Sequence, residues 1–346
     1  LRDPIRALLL QPSKGASELT LQKVSDDSYR TEIPLGLKAP EGVYVVHVWT
    51  GAAAKPSAVG KATFLLGRVV ADFFVFPYLD EAQPAQDLDN YLKDFGQLGG
   101  NFLVAHNLIT PNRVYYPSKV AKPDVVASAP ADIVELVLSR ADRYGYAVLL
   151  SVSWDMTRQS PYKGRMEEIK AITSELYALY KHHPSLAGFY SYQEGSGTYF
   201  VPYVREFSQH VKSIHGNLLT ACAPHMDDPL LAGYLSTVEE LDILIYQTGV
   251  MASYRTDNRK KYPFRRVKDF CSLAAGAKRL QNKISINHIE LFGYLENRLN
   301  PNTAATSYEN IYQQILSAAT VTDAASRQLT LTQQGLRSKL AALDSA

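Results

Sequence analysis

Tyr146-Ala147-Val148-Leu149-Leu150-Ser151-Val152-Ser153 decides the fold. The run is almost continuously apolar over a strand-sized length, the mark of a strand buried on both faces. A parallel sheet covered by helices imposes that burial. The flanks supply the helices. Residues 129–144 and 165–182 read as helical, and the second run places apolar side chains at 166, 169, 172, 176, 179 and 180, a 3.6-residue period. Working outward, the same alternation repeats. Strands are expected at 70–76, 101–106, 146–153, 187–192, 217–223, 242–246, 283–289 and 327–332. Helices are expected at 83–98, 129–144, 165–182, 201–215, 229–240, 263–278, 307–321 and 334–343. Eight βα units in about 280 residues predict an α/β fold of the (β/α)8 TIM-barrel type. A doubly wound open sheet would carry a Gly-rich dinucleotide loop after its first strand. Val75-Phe76-Pro77-Tyr78-Leu79-Asp80 stands there instead, so no nucleotide cofactor is expected.

Before Gly67 the chain has another character. Short β runs at 17–24, 29–35, 43–49 and 61–66 are separated by turns at 25–27 and 39–42 and by a Gly/Ala/Pro loop at 51–60. A small all-β, immunoglobulin-like sandwich is expected over residues 1–67, with the barrel over 68–346. About 67 residues is short for a full sandwich, so an edge strand is expected to be missing.

Composition narrows the function. Of 346 residues, 46% are apolar, enough for a sizeable core. Lys+Arg total 36 against 34 Asp+Glu, a net charge of +2, which gives no footprint for nucleic acid. No apolar run approaches the roughly 20 residues of a membrane helix, so no membrane insertion is expected. Cys222 and Cys271 are too few for a disulfide scaffold and read as buried thiols. The chain opens on Leu1 and not on Met, which reads as a processed or trimmed form with no leader visible, and a periplasmic or extracellular address is the expectation.

Barrel chemistry sits at the C-terminal ends of strands and in the loops that follow. Those positions hold Tyr78, then His106 and Asn107, then Trp154 and Asp155, then Tyr192, Gln193 and Glu194. His225, Tyr246, Gln247, Asn287, Glu290 and Phe292 complete the rim. Glu194 and Glu290 stand out, because each follows an apolar strand where a carboxylate is costly unless bonded or used. Strands four and seven face each other across a barrel mouth. Two carboxyls about 5–5.5 Å apart are what a retaining glycosidase needs. The aromatic residues suit the C–H faces of sugar rings, and the polar ones suit hydroxyls. A carbohydrate is the expected partner.

Gly188-Phe189-Tyr190-Ser191-Tyr192-Gln193-Glu194 and Ile286-Asn287-His288-Ile289-Glu290-Leu291-Phe292 resemble the strand-four and strand-seven motifs of retaining (β/α)8 glycoside hydrolases. More narrowly, the chain is similar to a bacterial family of glycoside-hydrolase-like barrel domains of unknown function, from about Val69 to Thr332. The resemblance implies that Glu194 is acid/base and Glu290 nucleophile. It departs at Gln193, where many of those enzymes carry an Asn that binds the sugar 2-hydroxyl.

Plainer readings stand beside these. Either glutamate could simply bond loop amides or an arginine. Asp227-Asp228 reads as a helix cap before Pro229. The basic residues at 255–266 read as a solvated face, with an acidic polysaccharide as the alternative. His106, His225 and His288 lack the His-x-His spacing of barrel zinc sites, and His182-His183 falls at a helix end, so no metal is expected. A non-catalytic polysaccharide-binding or scaffold protein, and a metal-dependent sugar hydrolase or deacetylase, are the competing functions.

Overall fold

The structure is a computed structural model. It describes residues 5–12, 14–25, 28–33, 39–52, 55–66, 71–75, 83–97, 99–110, 113–121, 127–128, 132–152, 165–191, 200–224, 229–247, 283–288, 292–294 and 303–305. Two compact units emerge: Leu1–Gln193 with Glu206–Ala221, and Glu194–Arg205 with Cys222–Ala346.

The first unit opens with β1 (Ile5–Gln11), β2 (Gly15–Glu18), β3 (Gln22–Ser25), β4 (Ser28–Arg30), β5 (Gly42–Ala52) and β6 (Lys55–Leu66). β2-β1-β5-β6 form one antiparallel sheet, and β3–β4 a separate hairpin. An immunoglobulin-like sandwich is not confirmed by this arrangement. The expected boundary at Gly67 falls on residues 67–70, outside the described residues.

Next come β7 (Ala71–Val75), α1 (Pro84–Gln97), β8 (Phe102–His106), β9 (Ile109–Thr110), β10 (Arg113–Val114), β11 (Ala127–Ser128), α2 (Ile133–Tyr144), β12 (Ala147–Val152), α3 (Met166–Tyr180), β13 (Leu186–Ser191), α4 (Phe200–Ile214) and β14 (Leu219–Cys222). The second unit adds α5 (Pro229–Ser236), β15 (Ile243–Gln247), β16 (Ile284–His288), β17 (Phe292–Tyr294) and β18 (Thr303–Ala305). Within the first unit the sheet order β7-β8-β12-β13-β14 follows the chain order, and in the second unit β15 lies beside β16. The β7–β8, β8–β12, β12–β13 and β15–β16 registers are parallel. This is an α/β fold with a curled parallel sheet of TIM-barrel-like type. The expected eighth strand and the helices at 263–278, 307–321 and 334–343 lie outside the described residues.

Local chemistry explains the elements. Every residue of β12 and β13 is buried, as the apolar runs require. The Asp132 carboxylate caps α2 by accepting the Glu135 N–H at 2.9 Å. Gly145 ends α2 at φ 80°, and a Cβ there would run into the Gln11 carbonyl of β1, so only glycine fits.

The antiparallel sheet packs against the N-terminal ends of β8, β13 and β14. Buried Lys61, on β6, donates from Nζ to the His183 and Leu186 carbonyls, each at 2.6 Å, and burial pushes its ammonium down to about 7. Asn217 Nδ2 donates to the Lys61 carbonyl at 2.6 Å, and Asn101 Nδ2 to the Glu41 carbonyl at 3.1 Å.

Candidate active site

In the first unit, β8 delivers His106 and β13 delivers Tyr190. Their ring centroids lie 6.0 Å apart, tilted by 42°. Register explains the meeting. Val75 pairs with His106, Ser151 pairs with Tyr190, and Ala105 pairs with Leu150 one step earlier. His106, Ser151 and Tyr190 therefore share one layer and one face, and the small Ser151 between them leaves room for the rings. Tyr190 is buried and His106 half-buried.

Asn107 follows at φ 62°, the only non-glycine with positive φ among the described residues. Asn tolerates that left-handed conformation better than other side chains, yet it carries strain, and such strain clusters at functional sites. The turn lets the Leu108 carbonyl accept the Tyr115 N–H at 3.0 Å, which starts the β9–β10 excursion.

Two hydroxyls escaped the sequence reading. Ser151 and Ser191 Oγ are buried at the C-terminal ends of β12 and β13 with no hydrogen-bond partner among the described residues. A serine inside an apolar strand was the available signal. Leaving a buried hydroxyl unpaired costs about 1–3 kcal/mol. Cys222, at the end of β14, is fully buried, and burial pushes its thiol well up, so it stays protonated and is no nucleophile.

In the second unit, the β15–β16 register sets Tyr246 beside Asn287 and Gln247 beside His288. Phe292 lies past β16, in the β17–β18 ribbon opposite Ala305. β13 closes at Ser191, three residues before Glu194, and β16 closes at His288, two before Glu290. Tyr78, Trp154, Asp155, Tyr192, Gln193, Glu194, His225 and Glu290 lie outside the described residues, as do Cys271 and the basic segment 255–266.

A family model described as a domain of unknown function (DUF4434) matches residues 79–320. This chain belongs to the DUF4434 family. No curated protein sequence matches it. Among solved structures, the DUF4434 chain is similar to a candidate alpha-L-fucosidase from Bacteroides thetaiotaomicron, at TM-score 0.57 and 14% identity over 73% of this chain and 82% of that one. It is also similar to a protein described as a glycoside hydrolase, at TM-score 0.54 and 13% identity over 75% and 61% of the two chains. A third likeness is to a family 2 beta-galacturonidase from Eisenbergiella tayi, at TM-score 0.51 and 14% identity over 93% and 57%. The DUF4434 chain thus spans about six-tenths of the latter two. At these identities the likeness is one of fold alone, a TIM-barrel-like α/β architecture.

Proposed function

We propose that this DUF4434 protein is a retaining glycoside hydrolase in which Glu194 is the acid/base and Glu290 the nucleophile. One observation carries the reading: parallel strands β13 and β16 close within three residues of the two glutamates, at the strand ends where barrel enzymes keep their chemistry. The Glu194 carboxyl would give its proton to the glycosidic oxygen as the bond from that oxygen to the anomeric carbon breaks. A Glu290 carboxylate oxygen would bond the anomeric carbon from the opposite side. Water would then attack that carbon, with the Glu194 carboxylate taking its proton and Glu290 leaving. Two inversions give retention.

The substrate is a poly- or oligosaccharide. Tyr78, Trp154, Tyr192, Tyr246 and Phe292 would supply faces for sugar rings. His106, Asn107, Asp155, Gln193, His225, Gln247 and Asn287 would bond hydroxyls. Residues 1–67 would serve as an accessory β domain, and the protein would work in the periplasm or outside the cell. The strained Asn107 beside His106 supports a rim shaped for a ligand.

E194Q and E290Q test the mechanism on a panel of aryl glycosides and polysaccharides. Each variant should fold normally and lose about 10²–10⁴ or more in turnover, and proton NMR of the wild-type product should show retention. Undiminished turnover in both variants overturns the assignment. Saturable sugar binding without turnover by the wild type would make the protein a polysaccharide-binding module.

A further inference from the structure

Before β13 and not after it, Glu135, His182 and His183 converge where α2 begins and α3 turns toward β13. Their ligand atoms all lie within 4.8 Å of one another. Glu135 Oε2 is 3.0 Å from His183 Nε2 and 3.6 Å from His182 Nε2. Two donors held about 2.0–2.1 Å from one tetrahedral ion sit about 3.3 Å apart. The two distances bracket that spacing.

The outer contacts have the form that metal ligands need. His183 Nδ1 meets Asp142 Oδ2 at 2.7 Å, and Asp142 Oδ1 accepts the Ser185 N–H at 2.7 Å. A carboxylate behind one ring nitrogen fixes the imidazole's orientation and raises the basicity of the other. Ser139 Oγ donates to Glu135 Oε1 at 3.1 Å, which leaves Oε2 to the histidines. The His182 and His183 rings are packed at 4.1 Å between centroids. His183 is buried, while the Glu135 side chain is 43% exposed, so water reaches the fourth position.

We propose that Glu135, His182 and His183 form a binding site for a borderline divalent transition metal, zinc above all. Two imidazoles and a carboxylate suit zinc, cobalt or nickel, and not the all-oxygen sets of calcium or magnesium. The site lies just before β13, at the N-terminal ends of the parallel strands, so its role is structural: it ties the first turn of α2 to the α3–β13 turn. It does not depend on the glycosidase reading. The competing occupant is a proton, with charged His183 clamped between Asp142 and Glu135.

The experiment uses the untagged full chain, stripped with chelator and titrated with ZnCl2 by calorimetry and with CoCl2 by visible absorption. One equivalent of zinc should bind, thermal stability should rise with zinc, and cobalt should give the intense visible bands of a tetrahedral site. H182A and E135Q, both at partly exposed positions, should weaken zinc binding by about 10- to 100-fold or more while circular dichroism stays unchanged. Absence of saturable uptake by the wild type, or undiminished uptake by both variants, overturns the proposal and leaves a proton clamp.

Discussion

Replacing Lys61 by Met tests how the N-terminal sheet is fastened. The residue is 3% exposed, and its Nζ donates to the His183 and Leu186 carbonyls at 2.6 Å each. Methionine keeps the length and the apolar stem but donates nothing. Two buried acceptors then lose this donor, at about 1–3 kcal/mol each. An opposing effect is the charge that no longer needs burying. That relief is modest at neutral pH, because burial already holds the amine down to about 7 and the neutral form donates to both carbonyls. The carbonyl loss therefore wins, with a net destabilisation of about 2–4 kcal/mol. At about 2–4 °C per kcal/mol for a chain of this size class, K61M should melt about 5–10 °C below the wild type by calorimetry at pH 7. An unchanged or higher melting temperature would refute this reasoning by showing that the cost of burying Lys61 outweighs its two bonds.

Two further outcomes follow from the same unit. Asp132 caps α2 and also accepts the Tyr180 hydroxyl on both carboxylate oxygens at 2.8 Å, so D132A should cost about 2–3 kcal/mol in urea unfolding, and Y180F should recover part of that cost in the D132A background. His47 is buried, and burial first, then the nearby cations, pushes its imidazole down to about 2 from an ordinary 6.5. The folded ring stays neutral while the unfolded chain takes up a proton below 6.5, so stability present above that pH falls as pH drops. In chelator-treated protein the stability difference between wild type and H47F should shift by roughly 2 kcal/mol against the wild type between pH 7 and 4.5. A difference independent of pH would show that His47 protonates in the folded state.

Periodicity made the parallel sheet readable because burial on both faces leaves few polar residues to blur the signal. The run at 146–153 became β12 at Ala147–Val152, and 187–192 became β13 at Leu186–Ser191, within two residues at either end. The N-terminal sheet was harder. Its strands bury one face, so turn residues set the boundaries, and local signals competed with pairing. Residues 51–60 read as a loop because of Gly51, Gly60 and Pro56. In the structure a tight hairpin pairs Ala52 with Lys55 and Thr50 with Ala58. The expected strand at 17–24 is split between β2 and β3. The β1 strand went unread although it carries Ala7-Leu8-Leu9-Leu10, and it lies centrally between β2 and β5. For the site, the strand ends were legible in position but not in contact. No sequence rule places His106 against Tyr190, because that meeting depends on the register of three strands. The acid and histidine cluster at Glu135, His182 and His183 was missed for the same reason. Its members are 47 residues apart in sequence, counted from Glu135 to His182, and only the packing of α2 against the α3–β13 turn joins them.

The two ends of the parallel strands are built on different terms. At the N-terminal ends, charged groups sit in bonds: Lys61 on two carbonyls, Asp142 on His183 and the Ser185 amide, His183 between two carboxylates. Those contacts offset burial and leave little for a substrate to gain. At the C-terminal ends, Ser151 and Ser191 keep buried hydroxyls without partners among the described residues, and Asn107 holds a left-handed backbone. Alanine at Ser151 or Ser191 would remove each unpaired hydroxyl, and glycine at Asn107 would relieve the strain. Stability alone therefore favours other residues at all three positions. Unpaired hydroxyls and a strained backbone gathered at the C-terminal ends of β8, β12 and β13 point to a ligand there, because a bound hydroxyl or carboxylate would satisfy what the fold leaves unsatisfied.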